Sequence, residues 1–429
     1  MTSLARETSR DYTRPHRPAF VRLWNGLAKL TPDRPLGADA LIATARRAEQ
    51  LERFDQDEAE FRLPLDRMLD ALAREAQLSA FGKVMTREKL LGSLRVRLRA
   101  QAWFERVPEI RATPLARPIF VTGLQRSGTT LLQRMLAQLP GARAIDAWEA
   151  FEPAPELDWR PGTTRDADPR FARARRAEQW MQRLSPDLFA VHPMDARAPE
   201  EEAVLMDHGW MSQVSEVTYH VPSYRTWLEA QDQRPAYDWL ARAMQLLAWQ
   251  RPGVGGRLDF WVLKTPQHLE WLDVLFEAFP DAIVVQTHRD PSTTIASYCS
   301  MVGHLRGLMS DRVDPRAIGD YVVSKIERML DRAIAVRDAR SGAGFIDVDY
   351  GELTRDPLVV LDRIVAEAKL PVASKSGPLA RDPALRGWLA TQGQHRHGVH
   401  RYAASDFGLD EAQLRERFQG YRERFNLIG

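Results

Sequence analysis

The chain runs to 429 residues, enough to bury one large core or two smaller ones. Hydrophobic residues make up 44% and charged residues 28%, the balance of an ordinary soluble globular protein. Its 60 basic and 58 acidic side chains leave a formal net charge of +2, which speaks against a broad nucleic-acid-binding surface and leaves room for a local basic site around a small anion.

Residues 1–17 mix Arg, Glu and Asp and lack the apolar run of a secretory signal. No stretch reaches the ~18–20 apolar residues of a membrane span, so a soluble, cytoplasmic protein is expected. Residues 1–112 read as a helical N-terminal region. Leu65, Met68, Leu69, Leu72 and Ala73 recur at helical spacing, as do Leu90, Leu91, Leu94 and Leu98. The acidic cluster Asp55, Asp57, Glu58 and Glu60 lacks the central Gly and the twelfth-position Glu of a calcium loop, and reads as a solvated helix start.

The pattern changes at Pro118. Residues 118–122 (PIFVT) form an apolar strand, a Gly-containing turn follows, and residues 130–139 repeat apolar side chains as a helix does. A helical insertion is expected over about 158–256. Its aromatic residues, Trp180, Trp210, Tyr219, Tyr224, Trp227, Tyr237, Trp239 and Trp249, read as core, with room for a few to line an acceptor pocket. Strands are then expected at 260–263, 282–287 and 345–348. Helices are expected over 269–279, from Pro291 through the single cysteine Cys299, and over 358–368. One cysteine excludes an intramolecular disulfide and fits a reducing compartment. The predicted fold class is α/β. Residues 113–429 form a P-loop-like central parallel sheet flanked by helices, joined to the helical N-terminal region and carrying the helical insertion.

The loop Gly123-Leu-Gln-Arg-Ser-Gly-Thr-Thr130 has the G-x4-G spacing of a phosphate loop between a strand and a helix. Its glycines allow a tight turn whose N–H groups face an anion, and the helix N-terminus adds positive potential. The lysine that reaches the outer phosphates of ATP would fall at position 129, which is Thr129; the loop's cation is Arg126. This site suits a single phosphate or a phosphosulfate better than triphosphate chemistry. A nucleotide-dependent kinase and a non-catalytic nucleotide-binding protein remain as alternatives.

The sequence GLQRSGTT resembles the 5′-phosphosulfate loop of sulfotransferases that use 3′-phosphoadenosine 5′-phosphosulfate (PAPS). The resemblance implies that Gly123, Arg126, Ser127, Gly128, Thr129 and Thr130 cradle the donor's 5′ side. Arg289, at the end of a predicted strand, and Ser297, eight positions on, are similar to that family's 3′-phosphate pair. Tyr350 opens a segment similar to one lying near the adenine. Residues 396–401, within a stretch carrying His395, His397 and His400, loosely resemble the basic loop that closes over the 3′-phosphate. Clustered His without Cys or carboxylates makes no case for a metal.

The segments around Trp148-Glu149, Lys264-Thr-Pro-Gln-His268 and 279–282 resemble the broad bacterial branch of these enzymes. The implied reaction is in-line transfer of a sulfuryl group from PAPS to a hydroxyl on a small molecule, glycan or lipid. PAP is the product, and no metal is needed. Two side chains compete as the base, Glu149 and His268, with Glu149 preferred and Lys264 stabilising the leaving or transferring oxygens. His192, Glu200, Glu201 and Glu202 are ionisable but assigned no chemistry. The three-Glu run reads as a solvated helix start.

Overall fold

Five strands, rich in buried residues, build the centre of the molecule: β1 (Arg117–Gly123), β2 (Ala142–Ala144), β3 (Phe260–Lys264), β4 (Ile283–His288) and β5 (Phe345–Asp349). All pair in parallel, in the order β2-β3-β1-β4-β5. The computed structural model describes residues 8–28, 36–54, 58–251, 257–372, 378–391 and 400–427. Asp55, Asp57, His395 and His397 lie outside these, as do Arg396 and the last residues of the insertion.

Side chains alternate across a strand, and the sheet separates them into two cores. Phe120, Trp261, Leu263 and Val284 face a large cluster shared with the N-terminal helices and the insertion. Ile119, Val121, Phe260, Val262 and Val285 face a smaller one with Leu132, Leu136, Leu361 and Ile364. Both faces are therefore covered, which is why these strands read as continuous apolar runs.

The helices follow the expected pattern with instructive differences. Helices span Ala38–Glu49, Glu58–Arg74 and Ala80–Arg106, and the Leu65 and Leu90 stripes are buried; Ala73, counted with the first, is exposed. The segment expected as one helix over 269–279 breaks at Trp271 into a 3-10 turn, Pro266–Glu270, and a helix, Leu272–Ala278. The helix beginning at Pro291 continues past Cys299 to Met309. β2 carries no sequence signal, because three residues are too few to show a period. Of the aromatic insertion residues, Trp210, Tyr219, Tyr224, Tyr237 and Trp239 are buried, while Trp180 is exposed. Among the described residues no helix is long and apolar enough to cross a membrane.

Two long helices meet at a glycine. A Cβ on Gly82, in the first turn of Ala80–Arg106, would sit 1.9 Å from the carbonyl oxygen of Met309, at the end of Pro291–Met309. Gly82→Ala should therefore force the helices apart and lower stability by about 1–3 kcal/mol, measured as a fall in the urea midpoint. An unchanged midpoint would show that the contact relaxes freely.

Candidate functional site

The register brings the C-terminal ends of three strands level, with Val121 opposite Lys264 and Gly123 opposite Thr287. The loop after β1 turns over this edge. Gly123 has φ +148°, and a Cβ there would lie 2.2 Å from Thr287 Oγ1. Gly128 has φ +88°, and its Cβ would lie 2.7 Å from Leu353. Neither position accepts a side chain, and both keep the backbone close to β4 and to the segment after β5. Ser127 is spent on the fold: its hydroxyl donates to Leu124 O at 2.5 Å and lies 2.7 Å from Thr287 Oγ1. Thr129 is buried and Thr130 exposed at the start of the helix Thr129–Leu136.

Two arginines meet on this loop. Arg126, itself at φ +70°, keeps an exposed surface, and its Nη1 donates to Val191 O at 3.5 Å. Arg289 Nη1 donates to the backbone carbonyl of Arg126 at 2.6 Å, and its guanidinium lies 4.1 Å over the ring of Tyr350. Tyr350 in turn flanks Gly128. The partners of both arginines are carbonyls and a ring. Deeply buried arginines elsewhere, Arg99, Arg143 and Arg170, pair instead with carboxylates. Desolvation, and then Arg289, push the Arg126 pKa down, while Tyr402 opposes them. Among the described residues no carboxylate pairs with either guanidinium, a setting that suits an anion.

Ser297 lies on the helix Pro291–Met309, capped by Asp290, whose side chain accepts from Ser292 N at 2.9 Å. Its hydroxyl faces His400 Nδ1 at 3.5 Å. Burial, then Arg126 and His304, depress the His400 pKa to about 3, so the imidazole is neutral. The structure thus gathers Gly123, Arg126, Gly128, Arg289, Ser297 and Tyr350 at one edge and adds His400 and Tyr402.

The second half of the site lies at the end of β3. Lys264 is buried; its Nζ lies 2.6 Å from Glu201 Oε1, and Thr265 Oγ1 donates to Glu201 Oε2 at 3.2 Å. The backbone N–H of Lys264 donates to Glu202 Oε2 at 2.7 Å, while Glu202 Oε1 lies 2.6 Å from His268 Nε2. His268 is 0% exposed, and its Nδ1 lies 2.8 Å from the hydroxyl of Tyr237.

The solvated-helix reading of the three glutamates is therefore corrected. Residues 198–200 bond to 145–147, through Ala147 N to Ala198 O and Glu200 N to Ile145 O. Gln133, on the helix after the loop, donates to Glu200 O at 3.0 Å. This pairing carries the run into the sheet edge, where Glu202 is fully buried and Glu201 remains partly exposed. Burial favours the neutral form of Glu201, but Lys264 outweighs it and holds the carboxyl below its ordinary range.

Glu149 stands differently from its expected role. It is buried, Arg143 grips both oxygens at 2.6 and 2.9 Å, Arg251 bonds to one, and Asp146 N donates to the other at 3.1 Å. Burial opposes its charge, but the two arginines dominate and drive its pKa well down. The neighbouring Asp146 is pushed up by burial and by the charge of Glu149. A carboxylate held this way is a structural counter-ion, poorly placed to take a proton. His268 likewise has both ring nitrogens engaged in the interior. Glu149→Gln should cost about 3–5 kcal/mol in urea unfolding, because the buried Arg143 and the partly buried Arg251 lose their counter-charge. A loss below about 1 kcal/mol would return Glu149 to the list of free carboxylates.

The sequence profile of the sulfotransferase family matches residues 118–374, more than half of the chain. A crystal structure of a sulfotransferase from Mycobacterium tuberculosis superposes with a TM-score of 0.75 at 33% identity, covering 90% of this chain and 99% of the other. A sulfotransferase from Mycobacterium avium gives a TM-score of 0.79 at 25% identity, covering 92% and 98%. No curated protein sequence matches significantly.

Proposed function

The chain belongs to the sulfotransferase family, and on that premise we propose that it moves a sulfuryl group from PAPS to a hydroxyl acceptor by in-line displacement. The observation that carries the choice of donor is the pair Arg126 and Arg289, joined at one loop and bonded, among the described residues, to backbone carbonyls and not to a carboxylate. Two anionic groups on one nucleotide fit two such cations. The glycine turn supports this, since a Cβ at Gly123 or Gly128 would collide with Thr287 or Leu353 and push the loop off the sheet edge.

In this reading the loop amides, Arg126, Thr129 and Thr130 hold the 5′-phosphosulfate, with Ser127 fixing the loop to β4. Arg289 and Ser297 hold the 3′-phosphate, and Tyr350 packs beside the nucleoside. PAPS supplies a sulfuryl group already bonded to a phosphate leaving group. Glu201 takes the place expected for Glu149 as the base. It is partly exposed, it is ionised, and it is bonded to the cation that must act next.

The acceptor oxygen bonds to sulfur as the bridging S–O bond breaks, and that electron pair stays on the phosphate oxygen. The acceptor proton goes to Glu201. Protonation neutralises the partner of Lys264 and frees its ammonium for the oxygen that gains charge. His268, with Tyr237 and Glu202, holds the backbone of Lys264 in place. The acceptor is a small-molecule, glycan or lipid hydroxyl, and the enzyme works in the cytoplasm.

Titration with PAP, ATP and AMP tests the donor. PAP should bind at least about tenfold tighter than AMP, the effect of one added charge-assisted contact. Preference for ATP, or no binding at all, would overturn the reading. Glu201→Gln should lower kcat by about 10²–10⁴-fold with PAP affinity kept, as removal of a general base does. Full turnover in that variant would exclude Glu201 as the base.

A further inference from the structure

The N-terminal segment before the first helix packs against the donor edge rather than against its neighbours in sequence. Residues 8–17 follow one face of the helix Pro291–Met309, a face opened by glycines at i and i+4 spacing. A Cβ on Gly303 would lie 2.7 Å from the ring of Tyr12, and one on Gly307 would lie 2.7 Å from Pro15. Arg17 then closes the far end, donating to Gly307 O at 2.8 Å and Ser310 O at 2.7 Å. Tyr12 is 3% exposed, with Phe407 4.8 Å from its ring.

The same segment grips the C-terminal stretch that carries His400. Thr8 Oγ1 accepts from Arg401 N at 2.9 Å. Arg10 forms a fork to Asp406, with Nε to Oδ2 at 2.8 Å and Nη2 to Oδ1 at 2.5 Å. Asp406 Oδ2 also accepts from Ala403 N at 3.1 Å, which fixes the turn after His400. Tyr12 OH lies 2.8 Å from Ser300 Oγ, and Ser300 Oγ lies 2.8 Å from His400 Nε2.

This chain of three groups has a direction. Ser300 has one proton to give, and if Tyr12 donates to it, Ser300 can donate to His400 Nε2. The imidazole proton then sits on Nδ1, the nitrogen that faces Ser297. A neutral imidazole fixed in this tautomer offers an N–H beside the Ser297 hydroxyl, where an incoming phosphate needs donors.

We propose that residues 8–17 are a clasp that completes the 3′-phosphate side of the donor site, with His400 donating to the phosphate through Nδ1 and with Tyr12 and Arg10 as its positioning residues. The inference rests on the PAPS reading above. Within the stretch 396–401 that resembles the family's 3′-phosphate loop it singles out His400, and what it adds is a part for residues 8–17 in nucleotide recognition. A clasp acting only there leaves the 5′ side, built by the loop after β1, unaffected.

The test compares PAP with AMP, which lacks the 3′-phosphate, by calorimetry on the full chain. Tyr12→Phe keeps the ring against Gly303 and Phe407 and removes only the hydroxyl. It should weaken PAP about fivefold to tenfold, the size of one lost hydrogen bond, and change AMP less than about twofold. His400→Ala should show the same selective loss. Arg10→Gln combined with Asp406→Asn, which breaks the clasp elsewhere, should do so more weakly. Equal losses for PAP and AMP would reduce the clasp to scaffolding and overturn the proposal, as would unchanged PAP affinity in both Tyr12→Phe and His400→Ala. Should a variant unfold, hydrogen exchange in wild-type residues 8–17 decides. Slowing by PAP but not AMP supports the clasp, and no difference overturns it. Wild-type protein that binds PAP no better than AMP would instead defeat the PAPS reading itself, a result distinct from any effect of the variants.

Discussion

Arg289 donates to the backbone carbonyl of Arg126 while stacking over Tyr350, so two guanidinium groups share one loop with a carbonyl and a ring as partners. Like charges repel, and neither of these partners cancels a charge. The arrangement persists because the surrounding backbone leaves no choice. Arg126 sits at positive φ between two glycines that cannot carry side chains, and Ser127 ties the loop to Thr287 on β4. Strain and repulsion at this edge are held in place by the parallel sheet beneath it. An anion bound there would relieve the repulsion, and the sheet provides the rigidity that holds the two cations together without one.

Charge on the other side of β1 is handled in the opposite way. Lys264 and Glu201 neutralise each other, and Glu202 ties His268 to the backbone of Lys264. Three adjacent glutamates thus have three roles. Glu200 offers its carbonyl to Gln133, Glu201 stays at the surface of the site, and Glu202 is interior. Under the proposed mechanism, one proton on Glu201 would dissolve this ion pair and release the Lys264 cation as charge builds on the leaving oxygen. By contrast, the Glu149 pair with Arg143 is buried, and Arg251 caps it from a partly exposed position.

Residues 8–12 and 401–406 meet at the same edge. Thr8, Arg10 and Tyr12 reach residues 401–406 and the middle of the helix Pro291–Met309, which begins beside Arg289. The N-terminal helices, the insertion and one face of the sheet also share a continuous apolar cluster. Described residues before Arg117 are thereby coupled to the edge that carries Arg289 and His400 twice, through packing and through hydrogen bonds.

Much of this was legible in the amino-acid order. The strand–loop–helix at 118–139, the later strands and the helix from Pro291 were visible because apolar periodicity and Gly and Pro placement are local properties. The Gly123 and Gly128 spacing, and Arg289 at a strand end eight residues before Ser297, were likewise readable within a short window. What escaped depends on pairing between distant residues. β2 is a strand only because β3 lies beside it. Glu201 faces Lys264 only because residues 198–200 bond to 145–147. Glu149 looked like a base from its place after the loop, and only the fold brings Arg143 and Arg251 onto it. Sequence alone determined the glycine-bearing strand–loop–helix, the parallel architecture and the absence of an intramolecular disulfide, since each is set by nearby residues or by composition. Tertiary structure decided which carboxylate stands beside Lys264 and that His400 faces Ser297, because those outcomes depend on which groups find partners across the chain.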